Sequence, residues 1–292
     1  LEEIGNRSGI AELQDAFGSL EEEQGHYSEA LAHYRSALQV RRTLGDQRSL
    51  AKSHNNVGYA YYLLSDYENA MVYFQEALRL YRAGGDQTGG MLVTQSIGLV
   101  QLAQGPWEGA VKSFIETLGE SRNEDSKSAM AMSQGYLGLA AQYQGRYGAA
   151  IASFDKALGV LEKLRDERGV VEFSLLKAGA LEEMGMSPEA ETLLAEIERR
   201  LGPKMNHEQK AIFLILRGEL QLGRGGAQNA RASFAAAIRE AEASHGTNRI
   251  LTARLGLGRA LAGGGDLAGA IKLIRSVQRE ADRLGDLLLR LR

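Results

Sequence analysis

Few side chains in this sequence could make or break bonds, and they are scattered. The five histidines are His26, His33, His54, His207 and His245. His207-Glu208 lacks the second histidine, four positions on, that a zinc-protease helix requires. There is no Gly-x-Ser-x-Gly elbow and no glycine-rich loop ending in Lys-Ser or Lys-Thr. Gly263-Gly264-Gly265 follows a helical pattern rather than a strand and reads as a turn. Consecutive glutamates on a helix point in different directions, so Glu21, Glu22 and Glu23 make a solvated face more readily than a chelate. With no cysteine, a thiol nucleophile, a disulfide and a cysteine-metal site are all excluded. We therefore expect no enzyme, no cofactor and no metal. What remains is recognition chemistry. All eleven tyrosines and the one tryptophan fall between Tyr27 and Tyr147, and these are typical binding anchors.

The elements that must position them repeat every forty residues. Residues 50–85 serve as the template. The Ala70 position gives Ala30, Ala110, Ala150, Ala190, Ala230 and Ala270 without exception. The Gly58 position gives Gly18, Gly98, Gly138, Ala178, Gly218 and Gly258. The Ser65 position gives Gly25, Gly105, Gly145, Gly185, Gly225 and Gly265. A fixed period of this length marks a stacked-repeat array, which replaces the two globular domains that length alone suggests. Within the template, 50–64 has small and apolar residues at helical spacing and forms helix A. Ser65-Asp66 turns the chain and caps helix B over 67–82, where Ala70, Phe74, Ala77, Leu78 and Tyr81 make one apolar stripe. Gly84-Gly85-Asp86 ends helix B and starts the next unit. Pro106 and Pro188 open B helices, where a missing N–H is tolerated, and Pro203 lies between units. The expected steric logic is that Gly58 faces Ala70 and Ala77 so that the two helices can close, with Phe74 filling the space beside them.

Gly58, Ala70, Phe74 and Ala77, at the eighth, twentieth, twenty-fourth and twenty-seventh places of the unit, resemble the tetratricopeptide repeat (TPR) signature. The forty-residue period, the Asn55-Asn56-Val57-Gly58 string and the Gly-Asp junctions are similar to the subset found in kinesin light chains, LGN/Pins polarity adaptors and MalT-like regulators. The fifth unit departs most, with Ala178, Leu194 and Glu198 at signature positions, and Lys177 and Arg217 replace apolar residues. The resemblance implies an all-α, right-handed superhelical solenoid of antiparallel helix pairs. It would have seven full repeats plus partial ones at both ends. As a single domain over 1–292, its repeats are expected near 8–47, 48–87, 88–127, 128–167, 168–206, 207–247 and 248–286. The residues 1–4 read as the tail of a preceding helix, because Gly5-Asn6 lies over Gly45-Asp46. Gly285-Asp286 and Leu287, Leu288, Leu289 and Leu291 read as the opening of an eighth unit, so the chain looks like a piece of a longer array. Self-association through those ends is a further expectation.

The same resemblance implies that A helices line a concave groove through the second, fifth, ninth and twelfth residues of each unit. Its candidate residues are Lys52, Asn55, Tyr59 and Tyr62 in the second unit, Leu92, Gln95, Leu99 and Leu102 in the third, and Met132, Leu139 and Gln142 in the fourth. The first unit contributes Glu12, Asp15, Ser19 and Glu22. Asn55 is placed to hydrogen-bond the backbone of an extended peptide, or else is ordinary polar surface. The leucines and Met132 either dock an apolar partner or are buried by tighter superhelical curvature. Tyr27, Tyr67, Trp107 and Tyr147 share one repeat position and fit the core equally well.

Net charge is −3, with −6 in residues 1–146 and +3 in the rest, too balanced to recruit nucleic acid or anionic membrane. No run approaches a membrane span and no signal-peptide pattern opens the sequence. The expected function is a cytoplasmic interaction scaffold that binds a protein or peptide. The alternative is the sensory or regulatory arm of a larger signalling protein such as a MalT-like transcription factor.

Overall fold

The computed structural model describes residues 2–105, 107–119 and 127–284. Pro106, Gly285-Asp286 and Leu287 to Leu291 lie outside the described residues. Among the described residues there is no strand. Seven A helices are α1 (Glu2–Gln24), α3 (Gln47–Leu63), α5 (Gln87–Gln104), α7 (Lys127–Tyr143), α9 (Glu167–Glu183), α11 (His207–Gly223) and α13 (Thr247–Gly263). They alternate with B helices α2 (Tyr27–Arg42), α4 (Tyr67–Ala83), α6 (Trp107–Gly119), α8 (Tyr147–Leu164), α10 (Ser187–Leu201), α12 (Ala227–Ala243) and α14 (Leu267–Leu284). Helices pack chiefly on their predecessors and successors, except that α11 rests more on α9 and α13 than on α10, and the chain is an α-solenoid of antiparallel hairpins. At the amino-terminal end the expected break is absent: α1 runs unbroken through Gly5-Asn6 rather than turning there.

The hairpins close on a ring as well as on alanine: a Cβ at Gly58 or Gly138 would stand 3.3 or 3.0 Å from the carbonyl oxygen of Ala70 or Ala150. A Cβ added to Gly18, Gly58, Gly98, Gly138 or Gly218 would lie 2.5–2.8 Å from the ring of Tyr34, Phe74, Phe114, Phe154 or Phe234. Each glycine on helix A is the floor on which the aromatic of helix B lies, and Phe74, Phe114, Phe154 and Phe234 are fully buried. The alanines of the Ala70 column are buried because the backbones approach there. In the fifth unit the two substitutions compensate: Ala178 supplies the Cβ that the smaller Leu194 leaves room for, and both are buried in one core. Lys177 and Arg217 carry their charges outward along the surface. Lys177 pairs with Asp155 at 2.6 Å, and Arg217 pairs with Glu198 at 3.0 Å while lying over the Phe213 ring.

The glycines at the hairpin turns have a different cause. The residue in the Ser65 column has φ between 59° and 89° in all seven units, the left-handed region where a Cβ is strained. Ser65 adopts it too, at 62°. The turns between units are left-handed too, at Gly45, Gly85, Arg165 and His245. Asp66 after the hairpin turn, and Asp46, Asp86 and Asp166 after turns between units, accept from backbone N–H groups of the helices they open. Between α10 and α11 the Gly202–Lys204 3-10 turn and an Asn206–Gln209 capping box replace the left-handed turn.

The array curls until its turns meet. The Tyr27 hydroxyl donates to Glu208 at 2.9 Å, and the Arg168 guanidinium donates to Glu22 and to the Tyr59 hydroxyl, each at 3.4 Å. Gly25, in the α1–α2 turn, lies so close to Ser244, just after α12, that an added Cβ would stand 2.8 Å from its Cα.

Two glycine roles predict opposite outcomes in a thermal melt followed by circular dichroism. Gly138→Ala places a Cβ against the Phe154 ring and lowers stability by about 1–3 kcal/mol. Ser65→Gly relieves a left-handed serine and raises it by roughly 0.5 kcal/mol, the net of strain removed and entropy lost.

Candidate functional site

The curl surrounds a partly open cavity of about 660 Å³, within the range of small-ligand sites. Every A helix contributes to its wall: Glu22 from α1, Tyr59 and Tyr62 from α3, Leu99 from α5, Tyr136, Leu139 and Gln142 from α7, Glu172 and Leu175 from α9, Ile212 and Ile215 from α11, and Thr252 from α13. Tyr27, at the start of α2, closes one side. The lining thus combines an apolar floor, five tyrosines (27, 59, 62, 136 and 143) and a group of charges. The rings of Tyr59 and Tyr62 stack 5.9 Å apart, and Tyr136 packs edge-on against Phe173 at 5.4 Å.

Five of the eleven groove residues read from the sequence line this cavity: Tyr59, Tyr62, Leu99, Leu139 and Gln142. The other six lie elsewhere. Leu102 is buried at 2% exposure, and Gln95 is buried where its amide donates to the Ala129 carbonyl at 3.1 Å and to Ser133 at 3.0 Å. These two are held between repeats by the curvature of the array. Met132 packs half-buried at Gly169 of α9, and Leu92 is exposed. Lys52 is exposed and lies 3.8 Å from Asp15, whose carboxylate accepts from buried Arg41 at 2.7 Å. Arg41 also donates to Ser53 of α3 at 2.7 Å, so the buried ion pair within the first repeat is tied to the second. Asn55 does not reach the cavity wall, yet its Oδ1 is buried and, among the described residues, has no hydrogen-bond partner. The Oε1 of Gln142, in the wall, is in the same condition.

Sequence reasoning missed the far wall. Glu172, Leu175, Ile212, Ile215 and Thr252 occupy the second and fifth places of units five to seven, the same spacing rule carried further along the chain. Units two to four face the lumen through their ninth and twelfth places instead, because the closing curl sets the ends of the early A helices against the beginnings of the late ones. Arg168 obeys neither rule and had no signal in the pattern.

Burial shapes the electrostatics. It drives the Glu172 carboxyl up to about 7, against the opposing pull of Arg168 and a hydrogen bond with Tyr136. Glu22 is raised for the same reason, with Arg168 and Tyr34 opposing. The hydroxyls of Tyr59, Tyr62 and Tyr136 are pushed well above the ordinary tyrosine range by burial. Among the described residues no group of three histidines, aspartates or glutamates is placed to hold a metal ion. No described helix is long and apolar enough to cross a membrane.

Residues 5–83 match one tetratricopeptide repeat family model, and residues 215–285 match a second. The chain belongs to the tetratricopeptide repeat family. No curated protein matches its sequence. Among solved structures, it is similar to a Rap protein complexed with competence and sporulation factor (TM-score 0.76, 16% identity, 92% of this chain and 74% of that one). It is also similar to a plasmid's Rap conjugation gene regulator in complex with a Phr peptide (0.74, 19%, 92% and 74%). A third is the apo form of the quorum sensor NprR from B. thuringiensis (0.70, 15%, 95% and 80%). At such identities the likeness is one of fold.

Glu172 makes stability depend on pH. Its folded-state value lies above the ordinary carboxylate value of 4.5, so the folded state holds the proton more tightly and loses stability as pH rises through 7. Chemical denaturation at about pH 5 and about pH 8 should differ by on the order of 2 kcal/mol from this group, and Glu172→Gln should flatten that difference.

Proposed function

We propose that the chain is a cytoplasmic, non-catalytic binding module whose single array of hairpins holds a short extended peptide in the lumen of its superhelix. The partly open, tyrosine-lined cavity formed by every A helix carries this reading. An extended peptide has backbone groups free to meet the unpaired Oε1 of Gln142, whereas a helix uses its own internally. Two of the structures that share this fold are complexes, one with a factor and one with a peptide, which supports the reading.

A second reading places the module in a larger signalling protein as its sensory arm. The quorum sensor among the similar folds favours it, and the two readings share the same lumen. End-to-end self-association through the apolar residues beyond 284 is a separate proposal, checked by light scattering across a concentration series.

The lumen assignment predicts an asymmetry between inside and outside. In capture of random short peptides, Tyr59→Ala and Leu139→Arg should each reduce retention at least about tenfold. Val72→Arg, at a 62% exposed site on α4, should leave it unchanged. Equal retention by all three variants and wild type would remove the lumen from consideration.

A further inference from the structure

The charges around the lumen are not balanced. Five carboxylates line it against three cations, and the cations are already engaged. Arg168 lies 3.4 Å from Glu22, Lys204 pairs with Glu167, and Arg249 lies 3.7 Å from Glu208. Glu23 and Glu172 are left over, and of these Glu23 is exposed to solvent. Among the described residues no cation stands within 4.0 Å of the Glu172 carboxylate, although the group is set deep in the wall with Tyr136 as its hydrogen-bonding neighbour. A carboxylate withdrawn from water with no cation in contact is unfavourable, even with Arg168 nearby, and a cation admitted to the cavity would offset the deficit. The neighbouring surfaces suit one. Tyr59, Tyr62 and Tyr136 line the same cavity, and ring faces attract ammonium and guanidinium groups by their quadrupoles.

The groups that bear on Glu172 come from several elements. Tyr59 and Tyr62 belong to α3, Tyr136 to α7 and Glu208 to α11, while Asp166 and Arg168 lie at the start of its own helix. Arg168 is the one cation in that set, and its guanidinium is directed at Glu22 and Tyr59.

We propose that the bound peptide presents a cationic group, a lysine or arginine side chain or its free amino terminus, to Glu172 among the rings of Tyr59, Tyr62 and Tyr136. This rests on the peptide reading of the lumen and gives that peptide a required charge. Glu172 then acts as the specificity-determining residue, and the tyrosines exclude water around the ion pair. The raised carboxyl supplies a second signature. A cation favours the ionised form, so affinity falls as the solution is acidified through neutrality.

The test equilibrates wild-type and Glu172→Gln proteins with a random pentapeptide library, in free-amine and amino-acetylated forms, and identifies retained peptides by mass spectrometry. Wild type should retain peptides enriched about tenfold in lysine or arginine, or only those with a free amine, and the acetylated arm separates these two sources. Glu172→Gln should lose that bias. For one enriched peptide, replacing lysine by norleucine, or acetylating the amine, should weaken binding to wild type about tenfold, so the outcome does not depend on how well the variant folds. Binding of the unmodified peptide should weaken from about pH 8 to about pH 5 in wild type and stay level in Glu172→Gln. Peptides retained by wild type with no cationic preference, or with the same preference in both proteins, would overturn the inference and leave the peptide reading standing. A library from which wild type retains nothing overturns both.

Discussion

The contact between a glycine of helix A and an aromatic ring of helix B is the constraint on which the rest of the structure depends. It brings two helix backbones close enough to bury an alanine at every twentieth place, and it is renewed in nearly every hairpin. Because the ring sits against a surface without a Cβ, the pair tolerates little variation in spacing. Six such units, stacked in sequence, bring the α1–α2 turn back onto the end of α12 and leave the lumen between. The site is thus a by-product of repetition, and no single hairpin contains it.

This also decides what could be read from sequence. The hairpins were legible because their cause is local: glycine, alanine and a ring recur at fixed places, and the turn residue recurs because its backbone is left-handed. Tyr59 and Tyr62 were legible as lumen residues because they are large, polar-tipped and do not recur. Leu102 and Gln95 share their helix face with lumen residues but are covered by the neighbouring unit, a matter of accumulated curvature that no window of the sequence displays. Glu172 followed the spacing rule into a later unit than the rule was carried. Arg168 was not legible at all, since its partners Glu22 and Tyr59 lie 146 and 109 residues away.

The polar inventory falls into two kinds. Arg41, paired with Asp15 and bonded to Ser53, and the Gln95 amide each join one repeat to the next. The lumen is different. There, the Gln142 Oε1 is left without a partner, and the Glu172 carboxyl is buried with Arg168 the one cation that bears on it. An unmet acceptor in a cavity wall is one a ligand can satisfy.

The meeting of Gly25 with Ser244 has one more consequence. An open solenoid is a chain of nearest neighbours in which terminal repeats fray independently and stability grows unit by unit. Joining the first hairpin to the sixth, through that contact and through Tyr27 and Glu208, gives the array a cyclic connectivity. Early and late units then report on each other's integrity directly, and the molecule melts as one cooperative body instead of unzipping from its ends.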